Sequence, residues 1–270
     1  MKKLINYTPK RGNALLLGLL PFALLLMLYL VNSELRLAEN PDDKLLPAFS
    51  HMAESMHRLA FEPSKRTGEY LFWGDTLSSL SRLAMGVAIA ASLGLFIGLM
   101  TGALPVAGAG LSPLLTVVSL VPPLALLPIL FIVFGLGEVS KVALIAIGIT
   151  PFIARDMERR TKEIPHEQLV KAQTLGANTS QILVRVLLPQ VMPKLIDSVR
   201  LSLGAGWLFL IAAEAIASTD GLGYRIFLVR RYMSMDVILP YVAWITLLAF
   251  IFDIALAKLN DFLFPWHKEA

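Results

Sequence analysis

The chain has 270 residues, 56% of them hydrophobic and only 16% charged, with a net charge of +4 and no cysteine. That balance excludes an ordinary soluble domain, and the lack of cysteine excludes disulfides and thiolate metal sites. In so apolar a chain the basic excess sets membrane orientation, so nucleic acid is excluded as a partner.

Lys2, Lys3, Lys10 and Arg11 precede an uncharged run from Gly12 to Ser33. A cleaved signal has a shorter apolar core and a small-residue cleavage site, so residues 1–31 read as a retained N-terminal span crossing at 13–31. Residues 32–75 read as a polar outer, periplasmic loop. Within it Phe49, Met52, Met56 and Leu59 recur at helical spacing and predict an interfacial helix or a lid. His51 and His57 share that helix, but six residues apart they do not share a face, and no metal site is expected.

From Leu83 to Gly137 fifty-five residues carry no charge, enough for two crossings of about 20 residues each. The expected spans there are 76–101 and 111–134, followed by 139–154, 195–217 and 237–257, which makes six with the first. In the second span Gly86, Ala90, Gly94, Gly98 and Gly102 place a small residue every four along one face, where a neighbouring helix can approach closely. In the third, Pro113, Pro122, Pro123 and Pro128 remove backbone donors. Lipid tolerates that only beside protein or a watery cavity, so the span is either a kinked packing helix or a wall of a pathway.

Six spans put both termini on one side. If that side is cytoplasmic, its segments hold thirteen Lys and Arg against nine outside, which favours termini inside and a cytoplasmic tail at 258–270. Residues 155–194 then form an inner loop with its own pattern. Pro165 suits a first helical turn, Leu169, Ala172 and Leu175 follow on one side, and Gly176 suits the helix end. Asn178 and Gln181 form a capping pair for a second helix, whose apolar stripe of Ile182, Leu183, Val186 and Leu187 is stopped by Pro189. The stripe must be buried, either beneath its own bundle or in a separate cytoplasmic protein that receives helices in a groove.

Charges inside spans are costly and usually functional. Asp197 and Arg200 lie three apart and can pair. Glu214 lies about 21 Å beyond Arg200 along a helix, near the outer end. It either holds the "TDGLGYR" loop through backbone N–H groups or faces a solute route, where its charge would suit a cation; Asp253 has the same two readings. The candidates for a pathway or gate are Pro122, Pro123, Pro128, Glu214, Gly221 and Gly223. Four scattered histidines and no cysteine give neither a nucleophile–base pair nor a metal set, so no catalytic residue and no cofactor is expected.

The inner loop resembles the signature loop of the permease subunits of ABC importers: a glycine, nine intervening residues, then an apolar residue, any residue, leucine and proline. Gly176, Val186, Leu187, Leu188 and Pro189 stand in that register, and Ala172 matches the alanine before the glycine. Val170 and Lys171 stand where the family has an acidic residue and its first alanine, so a charge contact through that acid does not carry over. "VPPLALLPILFIVFGLGEVSK" and "AAEAIASTDGLGYRI" are similar to segments of the nitrate, sulfonate and taurine permeases, so the resemblance covers about residues 76–257. It implies an all-α, six-span permease core of the type I importer (MetI-like) fold, without enzymatic activity of its own. It also implies pairing of two copies, an external binding protein, cytoplasmic ATPases that grip the loop, and alternating access. ATPase coupling would fall to Lys171, Ala172, Gly176, Ile182, Val186, Leu187, Leu188 and Pro189. No G-x-x-x-x-G-K-[ST] occurs, in keeping with hydrolysis on a separate subunit. The implied cargo is a small polar solute of the nitrate, sulfonate or taurine kind. "LAENPDDKLLP" resembles permeases tied to urea-like or guanidine nitrogen, which adds a small nitrogen compound to the candidates. The alternative is an ion-coupled secondary transporter, which would be expected to carry more buried ionisable groups or internal repeats.

Overall fold

A computed structural model describes residues 10–40, 43–65 and 68–267; Lys2, Lys3, Arg66 and Lys268 of the charge tally lie outside them. Every element among the described residues is helical. They are α1 (Arg11–Glu39), α2 (Phe49–Phe61), α3 (Leu71–Ala103), α4 (Pro105–Val118), α5 (Leu127–Phe134), α6 (Glu138–Lys162), α7 (His166–Thr174), α8 (Thr179–Gln181), α9 (Leu188–Ala217), α10 (Leu222–Arg230) and α11 (Met235–Leu263).

Four helical runs are long and apolar enough to cross a membrane: α1, α3, the run from α8 through α9, and α11. The pair α4 and α5, bent by 83° at the break, makes a fifth. The remaining expected span is α6, whose 25 residues are amply long. Glu138, Lys141 and the basic run at its far end set it apart from the purely apolar spans.

The expected four-residue stripe of α3 is where α6 seats. Gly98 shows why small residues are required there. A Cβ at that position would lie 2.5 Å from both the Ala154 carbonyl oxygen and the Met157 Cβ, so the two backbones pass at a separation only glycine permits. Around this pair α9, α10 and α11 close a core in which Leu144, Ile145, Ile153, Leu210, Leu222 and Tyr241 are buried.

α2 buries Met52, Ser55 and Ala60, with Met56 and Leu59 packed against the core, as its spacing predicts, while Phe49 at the head of the same stripe is 50% exposed. It leans on α11, where Ser55 donates to Asp236. α1 stands apart: none of its membrane-crossing window is buried. It is tied down near one end only, by Tyr29 Oη donating to the Pro47 carbonyl (2.6 Å) and Ser33 Oγ to the Leu46 carbonyl (2.9 Å).

Three expectations are corrected. The third span is not one bent helix but two helices joined by a short 3₁₀ turn, Pro123–Leu126, because Pro122 and Pro123 together deny the backbone two donors. The inner loop does not begin with a break in the helix at Arg155: the helix of the fourth span runs on to Lys162, because charged residues can leave the hydrocarbon without leaving the helix. Nor does Pro189 stop the second loop helix: Thr179–Ala217 is one continuous helix. A π turn, Ile182–Leu187, ends two residues before Pro189, where the helix must do without a proline N–H and keep its ring clear of the carbonyl of Arg185.

Candidate functional site: a hinged loop and a buried charge cluster

The two ends of the bundle carry different chemistry. At one end α7 and α8 form the hinged loop; at the other a cluster of ion pairs, its buried Arg82 and Glu214 reaching out to half-exposed Glu138 and Asp220, lies between α3, α6, α9 and the segment leading into α10.

At the loop end α7 closes in a Schellman arrangement. The Ala177 N–H reaches the Ala172 carbonyl (3.0 Å), the Gly176 N–H reaches the Gln173 carbonyl (2.9 Å), and Gly176 has φ +83°. The expected capping box follows at once, Asn178 Oδ1 accepting from the Gln181 N–H and Gln181 Oε1 from the Asn178 N–H, both at 2.9 Å. Gln190 Nε2, donating to Gln168 Oε1 at 2.9 Å, ties α7 to the start of α9.

The apolar residues of the loop divide into two groups. Leu187 is 2% exposed and sits with Leu99, Ile164 and Val191, while Ile182, Leu183 and Leu188 are partly buried against them. Facing away are Leu175, 87% exposed at the tip, and Val184, 59% exposed. The root of the loop thus packs beneath its own bundle, and its tip leaves apolar surface exposed. Lys171, Gly176 and Pro189 are exposed, and Ala172 and Val186 half-buried.

At the opposite end one guanidinium, Arg82 on α3, meets three carboxylates. Its Nε and Nη2 donate to Glu138 (2.5 and 2.9 Å), Nη1 to Glu214 (2.7 Å), and Nη2 also to Asp220 (2.5 Å). Lys141 Nζ, one turn into α6, donates to Glu138 (2.7 Å) and to Ser218 Oγ (3.1 Å). Beside them Asp75 accepts from Arg225 Nε (2.7 Å), the Gly221 N–H (3.0 Å) and Tyr241 Oη (3.2 Å). Burial pushes the Asp220 carboxyl up, but hydrogen bonds from Arg82 and Ser78 outweigh it and hold the group below its ordinary value.

Glu214 is fully enclosed. It accepts from Ser79 Oγ (2.8 Å), Arg82 and the Gly223 N–H (2.8 Å), so it holds the "TDGLGYR" turn through a backbone donor. Gly221 turns there at φ +110°, and a Cβ on it would lie 2.5 Å from the Glu214 carboxylate. Pro123 lies against α6: a Cβ on Gly148 would meet the Pro123 ring at 3.2 Å, and Pro122 and Pro128 flank the same break. Asp253 accepts both bonds of a bidentate pair from Arg200 (2.9 and 3.1 Å), which also reaches Asp197 at 3.4 Å.

Sequence reasoning missed Arg82, Asp75, Glu138 and Lys141 as members of a site. The available signal was Arg82 itself, a charge inside an expected span, where an unpaired guanidinium would be costly.

A broken apolar span, a small-residue seam and long apolar helices define a class: a helical protein that crosses a membrane several times. The chain belongs to the family described as binding-protein-dependent transport system inner membrane component, which matches residues 83–266. It is 36% identical over 197 residues to the taurine transport system permease protein TauC of Escherichia coli, covering 73% of this chain and 72% of that one. It is 32% identical to the putative aliphatic sulfonates transport permease protein SsuC of Bacillus subtilis, covering 66% and 64%. To the bicarbonate transport system permease protein CmpB of Synechococcus elongatus it is also 32% identical, covering 64% and 62%. In fold it is similar to a chain of the MetNI methionine ABC transporter in an inward-facing conformation, with TM-score 0.63, 20% identity and coverage of 73% and 97%. The chain is an ABC importer permease of the taurine, sulfonate and bicarbonate type, all-helical and MetI-like in fold.

Proposed function

We propose that two copies of this chain form the membrane passage of an ATP-driven importer, in the cytoplasmic membrane with both termini and the hinged loop inside. A periplasmic binding protein delivers the solute, and cytoplasmic ATPase subunits drive alternating access through the loop. The relatives' named solutes share an anionic oxygen group, which favours a small sulfonate, carboxylate or similar solute. The guanidine-like alternative rests on the "LAENPDDKLLP" resemblance alone, since Glu214 is bonded to Arg82, Ser79 and the Gly223 N–H rather than presented to a solute.

The observation that carries this reading is the division of the loop. Leu175 stands 87% exposed beyond a rigid Schellman turn, while Leu187 is sealed beneath the bundle. A tip that docks and a root that packs are what transmission of force requires.

Reconstitution of the full chain with its operon's ATPase and binding protein tests it. Leu175→Asp places a charge in the docking surface, and Gly176→Pro removes the N–H that the turn donates to Gln173. Each is expected to lower uptake and ATPase co-purification about tenfold or more, the scale of a buried charge in an interface, with membrane insertion unchanged. Normal uptake by both variants, or uptake driven by a pH gradient with no ATPase present, would overturn the reading.

A further inference from the structure

At the loop end a polar cavity of about 510 Å³ opens between α4 and α6, lined by Ser112, Thr116, Phe152, Arg155, Glu158 and Lys162 among others. Most charges around it are already matched. Lys162 pairs with Glu158 (2.5 Å), Arg160 with Asp156 (3.3 Å) and Arg159 with Glu163 (3.4 Å). Ser112 Oγ donates to Glu158 at 2.6 Å, and Ser198 donates to Asp156, so neither carboxylate lining the cavity is free to repel an incoming anion at full charge.

Arg155 differs. Among the described residues no carboxylate lies within ion-pair distance of it: it acts on Glu158, three residues on, through its charge alone, and its Nη1 donates to Ser119 Oγ at 2.8 Å. A guanidinium carries five donors in a planar fork suited to oxyanions. Ser119 is the residue that ends α4 at the 83° break. Irregular backbone at membrane depth persists where it lines water or protein. This guanidinium, with donors left over, therefore stands at the elbow of the broken span, on a cavity lined mainly by charged and hydroxyl side chains, with Phe152 as an apolar wall.

We propose that this cavity is a binding site for a small oxyanion group, with Arg155 as its principal ligand. The group is the sulfonate or carboxylate of a solute leaving the passage, or the phosphate of an anionic lipid headgroup in the facing leaflet. The site rests on the permease reading above, which places the loop end inside.

Arginine-selective modification of the purified full-length chain by phenylglyoxal, followed by mass spectrometry, reads the site without any substitution. Arg159 lines the same cavity, so Arg58, exposed on α2 and outside it, is the internal reference. In maltoside micelles, ethanesulfonate compared with chloride at equal ionic strength is expected to slow modification of Arg155 about fivefold or more relative to Arg58, the scale of one charge-assisted hydrogen bond. Phosphatidylglycerol added to the same micelles without ethanesulfonate forms the second arm. Saturable protection in the first arm identifies a solute site, and in the second a lipid site. Equal rates at Arg155 and Arg58 in both arms, or equal protection of both, would overturn the proposal. Neither ATPase nor uptake enters the measurement, so its failure would leave the importer reading standing, and failed coupling would leave this one.

Discussion

Arg82 is the residue on which the far end depends. It is buried, as is Glu214, and it alone connects Glu214 with Glu138 and Asp220. Removing one partner of a buried pair leaves the other charged without compensation, at a cost of about 3–5 kcal/mol. Arg82→Ala should therefore lower the melting midpoint in detergent sharply. Arg82→Lys should recover only part, because an ammonium cannot fork across Glu138 while reaching Glu214. A midpoint for Arg82→Ala equal to wild type would show the cluster to be incidental. Asp220 gives the pH dependence. Its folded-state value lies below the ordinary carboxylate value of about 3.9. Its contribution is thus complete at neutral pH and is lost only as pH falls through the folded value. The stability gap between wild type and Asp220→Asn should stay constant from about pH 5 to 8 and close below about pH 4. A gap that closed near neutrality would reverse the assigned sign.

Among the elements, α2 and α3 were legible because their information is local: a stripe at helical spacing and a small residue every four both follow from 3.6 residues per turn. The capping box and Gly176 were legible for the same reason, since partners three to five residues apart fix them. The Arg82 cluster was not, because its partners lie 56, 132 and 138 residues along the chain, and only the assembled bundle brings them together. Pro189 misled because a proline stops a regular helix but not one that has widened by a π turn beforehand. The α3–α6 seam makes its own prediction. A side chain at Gly98 would meet backbone atoms of Ala154 and Glu158, which cannot step aside as a flexible side chain can. Gly98→Leu should abolish recovery of folded protein from the membrane, whereas Gly204→Ala, where an added Cβ meets nothing within 4 Å, should be recovered at wild-type yield. Equal yields of the two would mean that the helices can separate without penalty.

For the whole molecule the question is how an event at Leu175 reaches the far end. The run from Thr179 to Ala217 is one helix and carries both Leu187, packed at the loop root, and Glu214, bonded to Arg82. The two are 27 residues apart, about 40 Å at 1.5 Å per residue, so a single rod joins loop and charge cluster. Such a rod transmits displacement only while its hydrogen bonds hold. Gly204 lies between those two points on an open part of the surface, where a Cβ meets nothing within 4 Å, so a proline there acts on the helix itself, removing one bond and bending the rod against the Arg200 carbonyl. Gly204→Pro is expected to keep ATPase co-purification, since the loop is untouched, yet lower uptake about tenfold or more; Gly204→Ala, which stiffens the same point, should transport at least as well as wild type. Reconstituted uptake decides it. If the proline variant transports normally while still gripping the ATPase, displacement reaches the far end by another route, for which α3, carrying Arg82 and Leu99, and α6, packed along it, are the other continuous helices between loop and cluster.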